Sequence, residues 1–140
     1  MDLLRLGRLT LNRDWEKKGE EYFKAFSREF TSHPSAFAQS LTALDFALGP
    51  SKEIVFAVGK DDQSMDQMLK SLYGRFIPNK VVILRPASDP EVEAIADVAP
   101  FVREQRAVQG KTTAYVCQNF HCEFPTTDPL KFERLLDQSK

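Results

Sequence analysis

The sequence reads as an α/β protein: N-terminal amphipathic helices, then a small, mostly parallel sheet of three or four strands built on a βαβ crossover. Three observations point there. Apolar residues recur at helical spacing through residues 1–49 and stop at Gly49-Pro50. Two short apolar runs, Ile54–Val58 and Val81–Leu84, bracket another amphipathic stretch. The 140 residues are 42% apolar and 28% charged, the balance of one globular domain able to bury a core.

Residues 2–11 place Leu at 3, 4, 6, 9 and 11, a wide apolar helix face that begins with almost no lead-in. Asn12 or Asp14 can cap the next helix. In it Trp15, Tyr22, Phe23, Phe26 and Phe30 lie opposite Lys17, Lys18, Glu20, Glu21, Lys24, Arg28 and Glu29. His33-Pro34 ends that helix, because the residue before proline disfavours the α region. Ser35 can cap a third helix carrying Phe37, Leu41, Leu44, Phe46 and Leu48. Helical spacing favours core packing for the Trp15, Tyr22 and Phe26 stripe over a sugar-binding groove.

Ile54–Val58 then reads as a buried strand ending at Gly59. Asp61 or Asp62 can cap a helix with Met65, Met68, Leu69, Leu72 and Phe76 on one face. Val81–Leu84 is the second strand, and strand-helix-strand at this length predicts a parallel pair with a right-handed crossover. Ser88-Asp89-Pro90-Glu91 has capping-box spacing with proline in the first turn, and opens a helix through Val92, Ile95 and Val98 that Pro100 ends. Thr112–Cys117 is a third strand and Cys122–Phe124 a short fourth. Asp128-Pro129 starts the last helix, with Leu130, Phe132, Leu135 and Leu136.

Composition excludes several functions. Lys and Arg number 19 against 20 Asp and Glu, a net charge of −1 spread evenly, so no segment offers a nucleic-acid footprint. No apolar run approaches a membrane span, and the N-terminus lacks the pattern of a signal peptide, which predicts a cytoplasmic chain. Two cysteines are too few for a disulfide-stapled scaffold.

Two places could carry chemistry. The turn Gly59-Lys60-Asp61-Asp62-Gln63-Ser64 follows a strand, where α/β sheets bind ligands. Gly59, Lys60, Asp61, Asp62 and Ser64 are the ligand candidates there. The turn has one glycine, no phosphate-loop signature and two aspartates that repel phosphate, so simple helix capping competes with an anion site. Cys117 and Cys122 are the redox candidates. A two-residue turn at Asn119-Phe120 would set them opposite each other, within disulfide reach. An extended segment would put the thiols on opposite faces, as two ordinary thiols. Zinc would need more ligands than His121 and the distant His33 supply. No metal, cofactor, glycosidase carboxylate pair or nucleophile elbow is predicted.

The ordered set Leu3-Leu4-Arg5-Leu6-Gly7-Arg8-Leu9-Thr10, Ala43-Leu44-Asp45-Phe46-Ala47-Leu48-Gly49-Pro50, Phe76-Ile77-Pro78-Asn79-Lys80-Val81, Ala114-Tyr115-Val116-Cys117 and Cys122-Glu123-Phe124-Pro125-Thr126-Thr127-Asp128-Pro129 resembles a known family. It is similar to the C-terminal end of the thioredoxin-domain-containing family of spermatogenesis-associated protein 20 and bacterial YyaL. The resemblance implies a longer parent, with a thioredoxin-like domain followed by an α/α toroid akin to six-hairpin glycosidases. On that reading residues 1–140 are a single domain-sized C-terminal fragment, residues 1–49 the end of the toroid and residues 53–137 a βαβαβ-like cap. It would be a noncatalytic structural module: no catalytic residue carries over, and no enzymatic activity is expected of it alone. Its expected partners are the missing upstream domains, with self-association through uncovered apolar helix faces. The family pattern favours a cysteine at Cys122 and is less regular at Cys117, which argues against a bridge between them.

Overall fold

The computed structural model describes residues 1–60, 63–118 and 121–138, without the side chain of Asp89. In order the elements are α1 (Asp2–Thr10), α2 (Arg13–Ala25), α3 (Ser27–Ser32), a 3-10 turn (Pro34–Phe37), α4 (Ala38–Leu48) and β1 (Lys52–Ala57). Then come α5 (Gln63–Tyr73), β2 (Lys80–Arg85), α6 (Asp89–Ala96), a second 3-10 turn (Pro100–Arg103), β3 (Thr113–Gln118), β4 (His121–Cys122) and α7 (Pro129–Asp137). The α/β class, the leading helices and the βαβ unit through α5 are as the sequence predicts.

The sheet runs β2-β1-β3-β4. β1 and β2 are parallel, with Ile54 beside Val82. β3 lies antiparallel on the other side of β1, and β4 antiparallel to β3. This corrects the expectation of a mostly parallel sheet: one pair is parallel and two are antiparallel. The connection after β2 contains α6 but returns the chain in the opposite direction, so no second βαβ unit forms. A strand's own apolar pattern does not encode its direction.

β1 is buried along its whole length because both faces are covered. Ile54 and Phe56 point to one side, where Met68 and Leu72 of α5, Ala114 and Val116 of β3, and Phe132, Leu135 and Leu136 of α7 close over them. The Phe56 and Phe132 rings meet edge-on at 5.4 Å. Val55 points to the other side, against Ala96, Ala99 and Val102. Lys52 is buried too, because its Nζ donates to the carbonyls of Leu135 (2.9 Å) and Gln138 (2.6 Å), capping the end of α7. Burial holds the Lys52 pKa below its ordinary value, partly offset by the Asp137 carboxylate.

The N-terminal region breaks into more pieces than the two or three helices expected. Leu11, left-handed at φ 54°, ends α1, and the Asn12 side chain then accepts from the Asp14 N–H to cap α2. Gly7 lets α1 and α2 cross closely, since a Cβ there would sit 2.5 Å from Glu16 Cγ. Phe26 interrupts the next helical run, and His33 ends α3 before Pro34 as expected. Ser35 lies in the 3-10 turn rather than capping α4. Leu4, Ala43 and Phe46 pack against Val81 of β2, which fastens this layer to the sheet. Arg8 reaches Glu16 (3.2 Å) and Glu53 (3.8 Å), a second tie between helices and strand.

Candidate functional site

The candidate sites lie at the β3–β4 hairpin, the turn after β1, and the outer face of the N-terminal helices. In the hairpin Cys117 pairs across from Cys122 and Gln118 from His121. This is the register a two-residue connection requires; Asn119 and Phe120 themselves lie outside the described residues. The sulfurs are bonded, with Cα atoms 3.8 Å apart. The extended alternative, with two separate thiols, is therefore replaced by a disulfide. The bridge is lopsided: Cys117 is 6% exposed, while Cys122 on the edge strand is exposed. With each sulfur bonded to the other, neither is available to zinc, and His121 has no further group of metal ligands around it among the described residues.

Cys117 lies opposite Glu53 in the β1–β3 register. The disulfide thus faces the side of the sheet where α1 arrives. A cavity of about 140 Å³ opens there, lined by Arg8, Leu11, Glu53, Phe101, Gln105 and the two cysteines. Glu53 also accepts from the Ser51 hydroxyl (3.0 Å). Gln105 is buried, and its Oε1 has no hydrogen-bond partner among the described residues. Arg8, Glu53 and Gln105 come from three distant parts of the chain, and no sequence motif marks them as a group.

The turn after β1 is committed to the fold. The Gly59 N–H donates to Thr112 Oγ1 (3.0 Å) and the Lys60 N–H to the Gly110 carbonyl (2.8 Å). A Cβ at Gly59 would lie 2.4 Å from backbone atoms of Lys111 and Thr112, so only glycine permits this approach. These two amides are therefore turned to residues 110–112 rather than to open space. Lys60 is exposed, Ser64 stands in the first turn of α5, and Asp61 and Asp62 lie outside the described residues.

The outer helical face carries a concavity of about 690 Å³. Phe23 and Phe30 line it from α2 and α3, and Leu41, Leu44, Ala47 and Leu48 from α4. Phe30 is buried at its base, whereas Leu48 is 79% exposed. Tyr22, Phe23, Phe26, Phe30 and Phe37 make a contiguous ring cluster. The Trp15, Tyr22 and Phe26 stripe, expected in a core, stays more than a third exposed. No helix among the described residues is long and apolar enough to cross a membrane.

Comparison with known proteins finds similarity to spermatogenesis-associated protein 20. Human spermatogenesis-associated protein 20 is 32% identical to this chain over 135 residues, covering 96% of the chain and 17% of the relative. The rat protein is 32% and the mouse protein 30% identical over 137 residues, each covering 98% of the chain and 17% of the relative. The chain thus spans 17% of the length of the curated relatives it matches. No protein-family model and no solved structure matches it.

Proposed function

We propose, from the premise that this chain is a homologue of one segment of spermatogenesis-associated protein 20, that it is a noncatalytic C-terminal packing module of a larger thioredoxin-domain-containing protein. In this reading residues 1–49 complete a helical toroid and residues 53–137 form a cap on it. The observation that carries the reading is the apolar groove between α2–α3 and α4, with Leu41, Leu44 and Leu48 along one wall. Exposed apolar patches of this kind mark surfaces that another element covers. The occupant is an amphipathic helix from the upstream part of the same polypeptide, consistent with relatives far longer than this chain. Leucine and phenylalanine walls with Glu20, Lys24, Ser27 and Thr31 along the α2–α3 side suit an amphipathic helix, apolar on one face and polar at its edge.

The test is sedimentation of the purified chain over a wide concentration range, with an apolar fluorescent dye as a second readout. The expected result is concentration-dependent association and dye binding. Leu44→Glu with Leu48→Glu reduces both, and joining the chain to its upstream helices abolishes dye binding. A monomer that binds no dye overturns the reading.

A further inference from the structure

We propose that the Cys117–Cys122 bond is a thiol-exchange site, at which Cys122 receives an incoming dithiol and Cys117 is the sulfur released. This does not rest on the packing reading. Three observations carry it. The two sulfurs differ in access: Cys122 lies exposed on an edge strand of two residues, and Cys117 is buried in β3. The bond closes a short loop, separation 5, the case in which a disulfide adds least to folding stability. The released sulfur would face a cavity that already exists, lined by Arg8, Glu53 and Gln105, whose Oε1 has no hydrogen-bond partner among the described residues.

The exchange is balanced. A thiolate of the dithiol attacks Cys122 Sγ, the Cys117–Cys122 bond breaks, and Cys117 leaves as a thiolate that takes up a proton. The second thiol of the reagent then attacks its own bonded sulfur and releases Cys122. The protein gains two thiols and the dithiol becomes a disulfide. Arg8 lines this cavity but is paired with Glu16 and Glu53, and Glu53 stands opposite Cys117, so no net positive charge holds the released sulfur as a thiolate and it takes up its proton. Once protonated, the Cys117 S–H brings a donor to the cavity that Gln105 lines, whose Oε1 has none among the described residues. Opening frees little of the chain. Thr126 and Ala114 exchange two backbone hydrogen bonds (2.8 and 3.0 Å), which hold the entry to α7 in place.

The experiment treats the oxidised full chain with reduced glutathione under native conditions, quenches with acid and maps the adducts by peptide mass. Glutathione should be found on Cys122, with Cys117 free. Dithiothreitol should open the bond without loss of helical circular dichroism, and glutathione disulfide should restore it. In Cys117→Ser the remaining thiol should react with a maleimide roughly tenfold or more faster than in Cys122→Ser, because access governs the rate. The wild-type mapping decides the matter if either variant fails to fold. Glutathione on Cys117 or equally on both, a bond that dithiothreitol opens only in denaturant, or two thiols that glutathione disulfide cannot join would each overturn the proposal.

Discussion

Between Lys52 and Asp137 lies a fully buried core: Ile54, Phe56, Met68, Leu72 and Phe132 are all at most 1% exposed. Between Asp2 and Leu48, Trp15, Tyr22, Phe26 and Leu48 are 37% to 79% exposed. The sheet block exposes apolar side chains as well: Phe76 and Phe124 in loops, Val82 and Leu84 on the edge strand β2, Tyr73 at the end of α5 and Leu130 at the start of α7. The difference follows from layering. β1 has helices over both faces, whereas the N-terminal helices have the sheet on one side only. The central strand is therefore covered on both faces, and the helical layer has an unfinished outer face.

The sharpest way to break this comparison is to truncate one aromatic in each region. Phe132→Ala should cost about 3–5 kcal/mol in urea unfolding, the usual loss for a fully buried ring. Phe26→Ala should cost less than about 1 kcal/mol, as half-exposed positions do. Equal losses would end the distinction. Gly59→Ala probes the backbone contact that joins β1 to residues 110–112. The Cβ must push backbone apart, so we expect about 2–4 kcal/mol by the same measurement.

Lys52→Met removes the cap on α7 while keeping an apolar stem. The buried Leu135 carbonyl and the half-buried Gln138 carbonyl lose a donor, and the expected cost is about 1–3 kcal/mol. Lys52 also makes stability depend on alkaline pH. Its folded pKa is lowered by burial, so the unfolded chain holds the proton more tightly, and stability rises between the lowered value and the ordinary one. Wild-type stability should climb across that window, and Lys52→Met should lack this increment. Leu48→Gln should change stability by less than about 0.5 kcal/mol and yet weaken self-association, read by sedimentation.

The smallest effect is expected at Asp137, whose carboxylate accepts from Arg75 Nε (2.8 Å) on the surface. That hydrogen bond holds the Asp137 pKa below its ordinary value. Its contribution is therefore present above the ordinary carboxylate range and is lost as pH falls through the lowered value. Asp137→Asn should lower the melting temperature slightly at neutral pH and leave it unchanged in strong acid.

Much of the fold could be read from the residues. Short-range periodicity marked β1, α5 and β2, and the Asp128-Pro129 start of α7 was plain, with Asp128 accepting from the Leu130 N–H (2.9 Å). What escaped depends on distant partners. The direction of β3 is decided by how residues 86–112 pack, and Thr113–Gln118 looks the same either way. Phe76 fits the apolar face of α5 by spacing, but the helix ends at Tyr73 and leaves it in solvent. Residues 117–122 left both a hairpin and an extended segment open, since phenylalanine is a poor second turn residue. Family resemblance weighed against the bridge that the β3–β4 register produces. The cavity of Arg8, Glu53 and Gln105 had no signal in the sequence, because its parts meet only after α1 docks on the sheet. The helical groove was legible only as an excess of apolar residues on faces that spacing assigned to a core.

Native-state hydrogen exchange on the isolated chain tests the contrast between the two regions most directly. Amides of β1 and β3 should exchange only through global unfolding, and those of α2 and α3 through local opening, orders of magnitude faster. Equal protection in the strands and in α2–α3 would contradict the account, because a helical layer with an unfinished face cannot be as stable as the covered sheet.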